Sequence, residues 1–251
     1  AKHCPNIENM ALEALTPLDF QRMLNALASV YSKSSVAHIK VVYCEAYQDA
    51  VRNNICFRNP IREVQIPKHA ARKKVSGMTI PEQDAFESVL TQLSFMDHCM
   101  ILTYLLTGLR RNELRNLRWK DWNSKQDYIQ VCESKTATGI RNIPIIPQVT
   151  SILHTLAQRK SCEYIFHVNG EKMTDGHIRY ICTKVSRIAG IRHVTPHMLR
   201  HTFASRLFES GADLKSLAEI LGHTDPAFTL KTYVTVSQEH LAEQMRKLIR
   251  K

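Results

Sequence analysis

In the stretch LTPLDFQRMLNALAS (15–29), apolar residues recur every third or fourth position, the period of a helix with one buried face. Thr16, Pro17 and Asp19 stand ahead of it as a start signal: a side-chain cap, a proline where no N–H is needed, and an acid in the first turn. The stretch SSVAHIKVVYCEAYQDAVRNN (34–54) keeps the same period through Val36, Ile39, Val42, Tyr43, Ala46, Tyr47, Ala50 and Val51. Together they predict an all-helical unit over residues 1–67, closing near RNPIREVQIP. Residues 68–77, KHAARKKVSG, have no apolar period and read as an exposed basic linker. A second unit opens at MTIPEQDAFESVL, where Thr79 and Glu82 form a capping box, and helical segments run on through residue 118. Between 127 and 146 the period falls to two: DYIQVCESKTATGIRNIPI predicts a strand, a turn at TATG and a second strand. Helices resume near 148 and dominate to the end, where EHLAEQMRKLIRK (239–251) gathers Leu241, Met245, Leu248 and Ile249 on one side. The expected fold class is mainly α with a small antiparallel β-sheet, an α+β domain over 78–238 behind the helical domain 1–67, with a separate C-terminal helix at 239–251.

Composition narrows the partners. At 251 residues the chain can bury a sizeable core, and its short, interrupted apolar runs could not span a bilayer. No basic start followed by an apolar block marks a signal peptide, so no membrane partner and a cytoplasmic location are expected. The chain begins at Ala1, which raises the expectation of further sequence upstream. Seven cysteines without a C-x-x-C pair argue against a disulfide framework and a zinc ribbon, and for a reducing compartment. A net charge of +11 calls for a polyanion. Lys68, Arg72, Lys73 and Lys74 suit a contact that tracks a nucleic-acid backbone, although a solvated connector would look the same.

The stretch VTPHMLRHTFASRL (194–207) is where chemistry enters. Thr195 reads as an N-cap with Pro196 at the first helical position, so His197, Arg200 and His201 fall on one face. Such a face could clamp a metal, grip an anion, or be a packed helix with Met198, Leu199, Phe203 and Leu207 as its core stripe. The arginine repels a cation, and no carboxylate or cysteine lies near to complete a ligand set. Guanidinium and imidazole both donate to phosphate oxygens, so an anion fits better.

Two other stretches carry similar signals. In LLTGLRRNELRNLRWKDW (105–122), Gly108 interrupts an apolar run just before Arg110. LAEILGHTDPAFTLKTYVTV (217–236) could open a helix-turn-helix with Gly222 at the turn, yet His223 and then Tyr233, ten positions on, are unusual for a DNA-reading helix. TGLRRNEL, HMLRHTFASRL and LGHTDPAFTLKTY, in this order around a strand pair, resemble the boxes of the tyrosine recombinases, or phage-integrase family. The resemblance covers roughly residues 75–240, and the helical front, with LTPLDF and RNP, is similar to that family's core-site DNA-binding domain.

The resemblance implies a catalytic set of Arg110, Lys135, His197, Arg200, His223 and Tyr233, with Arg111 the alternative to Arg110 under a one-residue shift. At the position of His223 some relatives carry tryptophan, and Lys135 falls where the family's loop lengths vary. His201 is expected to support packing or orientation, and Glu113 to hold its own helix. The implied reaction is attack of a tyrosine oxygen on a DNA phosphodiester, giving a 3′-phosphotyrosyl link that a second 5′-hydroxyl then resolves. Arg110 and Arg200 would stabilise the transition-state charge, Lys135 would protonate the leaving oxygen, His197 would act as base and His223 would donate to the phosphate. No cofactor and no metal site are implied. Arg72, Lys73, Lys74 and, on the second strand, Arg141 are the expected DNA contacts. Further implied partners are double-stranded DNA, other copies of the chain (dimer to tetramer in synapsis, with the last helix docking on a neighbour) and accessory excision or DNA-bending factors. A type IB topoisomerase, which religates the same strand, and a non-catalytic helix-turn-helix regulator are the rival readings.

Overall fold

The computed structural model describes residue 7 and residues 10–68, 76–132 and 139–223. The chain divides into two compact units, Ala1–Val75 and Ser76–Lys251. In the first, α1 (Pro17–Val30) starts on a capping box in which Thr16 accepts from Asp19 N and the Asp19 carboxylate accepts from Thr16 N. Its buried face is Phe20, Met23, Leu24, Leu27 and Ala28, the helical period read from the sequence. Helix α2 (Lys33–Arg52) is capped by Ser32 and buries Val36, Tyr47 and Ala50. Phe20 meets Tyr43 and Tyr47 edge-on, at centroid distances of 5.6 and 5.5 Å, and the Tyr47 hydroxyl donates to the Leu12 carbonyl. Val42, counted above with the helical stripe, instead lies exposed beside Val41.

The second unit begins with α3 (Ile80–Ser88), on the expected Thr79–Glu82 capping box. Next comes α4 (Phe95–Thr107), whose Met100, Ile101, Tyr104 and Leu105 lie in the middle of the core, and then short α5 (Arg111–Asn116). The sheet has three antiparallel strands, not two: β1 (Trp122–Asn123), β2 (Tyr128–Val131) and β3 (Arg141–Pro144). Ile129 pairs with Ile143 and both are buried, while Gln130 and Asn142 pair on the outer face. Helix α6 (Pro147–Ala157) follows. A second hairpin, β4 (His167–Val168) with β5 (Glu171–Lys172), was not expected. It turns at Asn169–Gly170, both at positive φ, and that dipeptide is a hairpin signal in its own right.

Helices α7 (Asp175–Ile188), α8 (Pro196–Glu209) and α9 (Leu214–Leu221) complete the described part. Thr195 caps α8 with Pro196 at its first position, as read above. Helices α4 and α9 each end on a left-handed glycine, Gly108 (φ 61°) and Gly222 (φ 65°). Neither position has room for a side chain: a Cβ on Gly108 would lie 2.2 Å from the Phe203 ring, and one on Gly222 would lie 2.9 Å from the Arg141 guanidinium. Among the described residues no helix is long and apolar enough to cross a membrane.

Candidate active site at the ends of helices α4 and α9

A helix leaves its last carbonyls without intrahelical donors, and its dipole makes that end negative. Here guanidinium groups take up those carbonyls. Ile220, Leu221 and Gly222 are consecutive at the end of α9, and their oxygens accept from Arg141 Nε (2.6 Å), Arg200 Nη2 (2.6 Å) and Arg110 Nη2 respectively. Arg200 also donates through Nη1 to the Gly108 carbonyl at the end of α4 (2.7 Å). Arg200 is only 2% exposed, and these acceptors make burial of a permanent charge tolerable. The two left-handed glycines thus turn the backbone so that its final carbonyls face the arginines.

Glu113 organises the second layer. Its side chain is 6% exposed. It accepts from Arg110 N (2.7 Å) and Arg110 Nη1 (2.9 Å), and from Arg141 Nη1 (3.0 Å) and Nη2 (2.9 Å). The backbone bond closes the first turn of α5, so Glu113 does hold its own helix; it also bridges two arginines. Burial alone would push its carboxyl upward, but the hydrogen bonds and charge of Arg141, with the backbone and side chain of Arg110, outweigh that and hold it below its ordinary value.

His223 Nε2 lies 3.0 Å from Arg200 Nη2. A guanidinium only donates, so His223 accepts there, is neutral, and carries its proton on Nδ1. Burial, then Arg200, Arg110, Arg141 and His201, push its pKa down to about 4. His201 is buried and likewise pushed down to about 4, by burial, then His197 and Arg200. His197, the exposed member of the face, packs edge-on against His201 at 4.5 Å, and burial with Arg200, Arg110 and Arg111 lowers its pKa too. All three rings are therefore neutral near pH 7. Among the described residues no group of three or more metal-ligating side chains gathers.

These shifts have a consequence for stability. An unfolded histidine titrates near 6.5. As pH falls from 6.5 toward 4, the unfolded chain takes up protons that folded His201 and His223 refuse, so stability drops across that window. Glu113 adds its own loss only as pH falls below its ordinary 4.5. The expected result is a Tm that declines between pH 6.5 and 4.5 and declines less in His223→Gln; an unchanged Tm over that range would contradict the assignment.

Of the residues proposed from sequence, Arg110, His197, Arg200 and His223 come together here. Arg111, the alternative first arginine, instead pairs with Asp175 at 2.8 Å. Arg141, expected to contact DNA, has a side chain that is 7% exposed, and its guanidinium is taken up by Glu113, Ile220 and Gly139. No local pattern pointed to that role. Lys135, Tyr233, Arg72, Lys73, Lys74 and the 239–251 segment lie outside the described residues, as does whatever follows α9 in the helix-turn-helix reading.

Residues 78–240 match the model of the phage integrase family. Tyrosine recombinase XerA of Pyrococcus furiosus is 32% identical over 197 residues, covering 76% of this chain and 65% of that protein. Tyrosine recombinase XerC of Oceanobacillus iheyensis is 30% identical, covering 88% of this chain and 77% of the relative. The solved structure of the Tn1549 transposon integrase in complex with circular intermediate DNA superposes with a TM-score of 0.77 at 21% identity, covering 94% and 86% of the two chains. That of a lambda integrase dimer bound to a core site gives 0.77 at 19%, covering 93% and 69%. The likeness to these two structures is one of fold. With its boxes in order and its family model matched over most of the second unit, the chain belongs to the phage integrase family, the tyrosine recombinases.

Proposed function

We propose that the chain performs site-specific recombination of double-stranded DNA through a covalent tyrosyl intermediate. The observation that supports this best is the guanidinium cluster on the carbonyls of Ile220, Leu221 and Gly222. Among the described residues, Arg110, Arg141 and Arg200 against the carboxylate of Glu113, with neutral histidines, leave a surplus of two positive charges. Attack by a phenolate on a phosphodiester passes through a dianionic phosphorane, and a surplus of that size matches it. Forked donors already fixed by backbone carbonyls need little reorganisation when the charge develops.

In this reading the Tyr233 oxygen attacks phosphorus, the bond from phosphorus to the 5′-oxygen breaks, and Lys135 protonates the departing oxygen. Neutral His197 takes the phenolic proton, and the Nδ1–H of His223 serves as a phosphate donor. A second 5′-hydroxyl then displaces the tyrosine, so the phosphodiester energy is kept. The helical unit 1–67 with Arg72, Lys73 and Lys74 would add contacts to the duplex, while the chain assembles as a dimer to tetramer on its site, with accessory bending or excision factors. The Tn1549 and lambda integrases solved with DNA support a DNA substrate here.

The test is strand transfer. Nicked half-sites from a randomised library, incubated with the chain in excess chelator, are expected to yield covalent complexes, and an added 5′-hydroxyl strand should convert these to joint molecules. A strict requirement for magnesium, or religation only of the strand that was cut, would overturn the proposal.

A further inference from the structure

Arg141 is the third guanidinium on the end of α9; the charge count above includes it, but no step of the reaction gives it a contact of its own. Its position in the chain is informative. It opens β3, six residues after Lys135, and it reaches two elements distant in sequence: Glu113 on α5 and Ile220 on α9. Its neighbour on each side is a group assigned to the chemistry. Glu113 links it to Arg110, and His223, three residues beyond Ile220, meets Arg200. Gly222 must lack a side chain because Arg141 occupies that space.

We propose that Arg141 is a positioning residue for strand cleavage, locking Arg110 through Glu113 and the His223-bearing end of α9 through Ile220, without touching DNA. Each bond runs along a separate edge of one planar group. A change in the strand that follows Lys135 is therefore transmitted as a rigid displacement to both Arg110 and His223. A lysine at this site cannot do the same, because a single ammonium has no fork to hold a carboxylate and a carbonyl in fixed relative orientation. Neutral substitution alone would leave Glu113 buried opposite an empty site, so the informative neutral variant carries two changes, Arg141→Met with Glu113→Gln.

The inference rests on the recombinase reading, and the experiment separates the two. The wild-type chain is first shown to form a covalent complex with a half-site substrate; no complex would overturn the reading and the inference together. Arg141→Lys and the double variant are then compared with wild type at saturating DNA. Misplacement of reacting groups by about 1 Å costs on the order of 10²-fold. The expected result is a first-order rate of covalent complex formation slower by about that factor, with DNA affinity and its salt dependence unchanged. In parallel, the His223 ring, which faces Arg200, Arg110, Arg141 and His201, should titrate at higher pH in the double variant when followed by NMR.

Weakened binding with a salt slope shallower by about 0.9 and an unchanged rate at saturation would make Arg141 a DNA contact and overturn the inference. A slower rate with the His223 titration unmoved would reduce Arg141 to a structural brace, and would overturn it too. So would wild-type rates in both variants.

Discussion

Tyr233→Phe is expected to bind duplex DNA as tightly as the wild-type chain and to form no covalent complex at any incubation time. The substitution removes one oxygen and leaves the aromatic ring. Everything that steers DNA to the site remains: the net charge of +11 and the arginines bonded to the end of α9. What disappears is the one atom of the chain that the proposed mechanism lets bond to phosphorus. Tyrosine is a weak nucleophile near pH 7, with an ordinary pKa of about 10. A site two positive charges in surplus favours its phenolate, and the lowered basicity of His197 leaves a neutral ring able to accept the proton. The measurement is a denaturing gel of labelled half-sites beside a binding isotherm. A shifted, protein-linked band from the variant would discard Tyr233 as nucleophile.

Arg200→Lys is expected to slow covalent complex formation by about 10²- to 10³-fold, the loss found when one preorganised donor to a developing oxyanion is removed. The physical reason is specific to this geometry. Arg200 uses separate nitrogens for the carbonyls of Gly108 and Leu221, and shares one of them with His223. One lysine ammonium keeps the charge but cannot span the ends of α4 and α9, so one buried carbonyl loses its donor and His223 loses the contact that fixes its tautomer. The variant is also expected to unfold at lower temperature. Single-turnover rates well below that temperature isolate the chemical loss; a rate within threefold of wild type would remove Arg200 from the chemistry.

How much of this was readable in the chain depends on how far each signal reaches. The starts of α1, α3 and α8 were legible because a cap acts within three residues: Thr16 with Asp19, Thr79 with Glu82, Thr195 with Pro196. Strand β1 was not, since Trp122 and Asn123 are too few to display alternation. The β4–β5 hairpin was available through Asn169–Gly170 but sat between long helical patterns that absorbed it. The four described members of the candidate site were legible as boxes, by resemblance and not by local physics. The burial of Arg141 was not legible because a basic residue on a strand beside a turn looks solvent-facing until its partners are known, and those lie 28 and 79 residues away. Glu113 was read as a local helix brace, which it is, but its bridge from Arg110 to Arg141 needs the fold.

The most direct test of the central claim is to locate the bond itself. Covalent complexes trapped from the wild-type chain in chelator would be digested with nuclease and protease, and the modified peptide sequenced by mass spectrometry. The account predicts one phosphorylated residue, Tyr233, joined to a 3′-nucleotide. A nucleotide attached to any other side chain, or cleaved DNA carrying no protein at all, would contradict it.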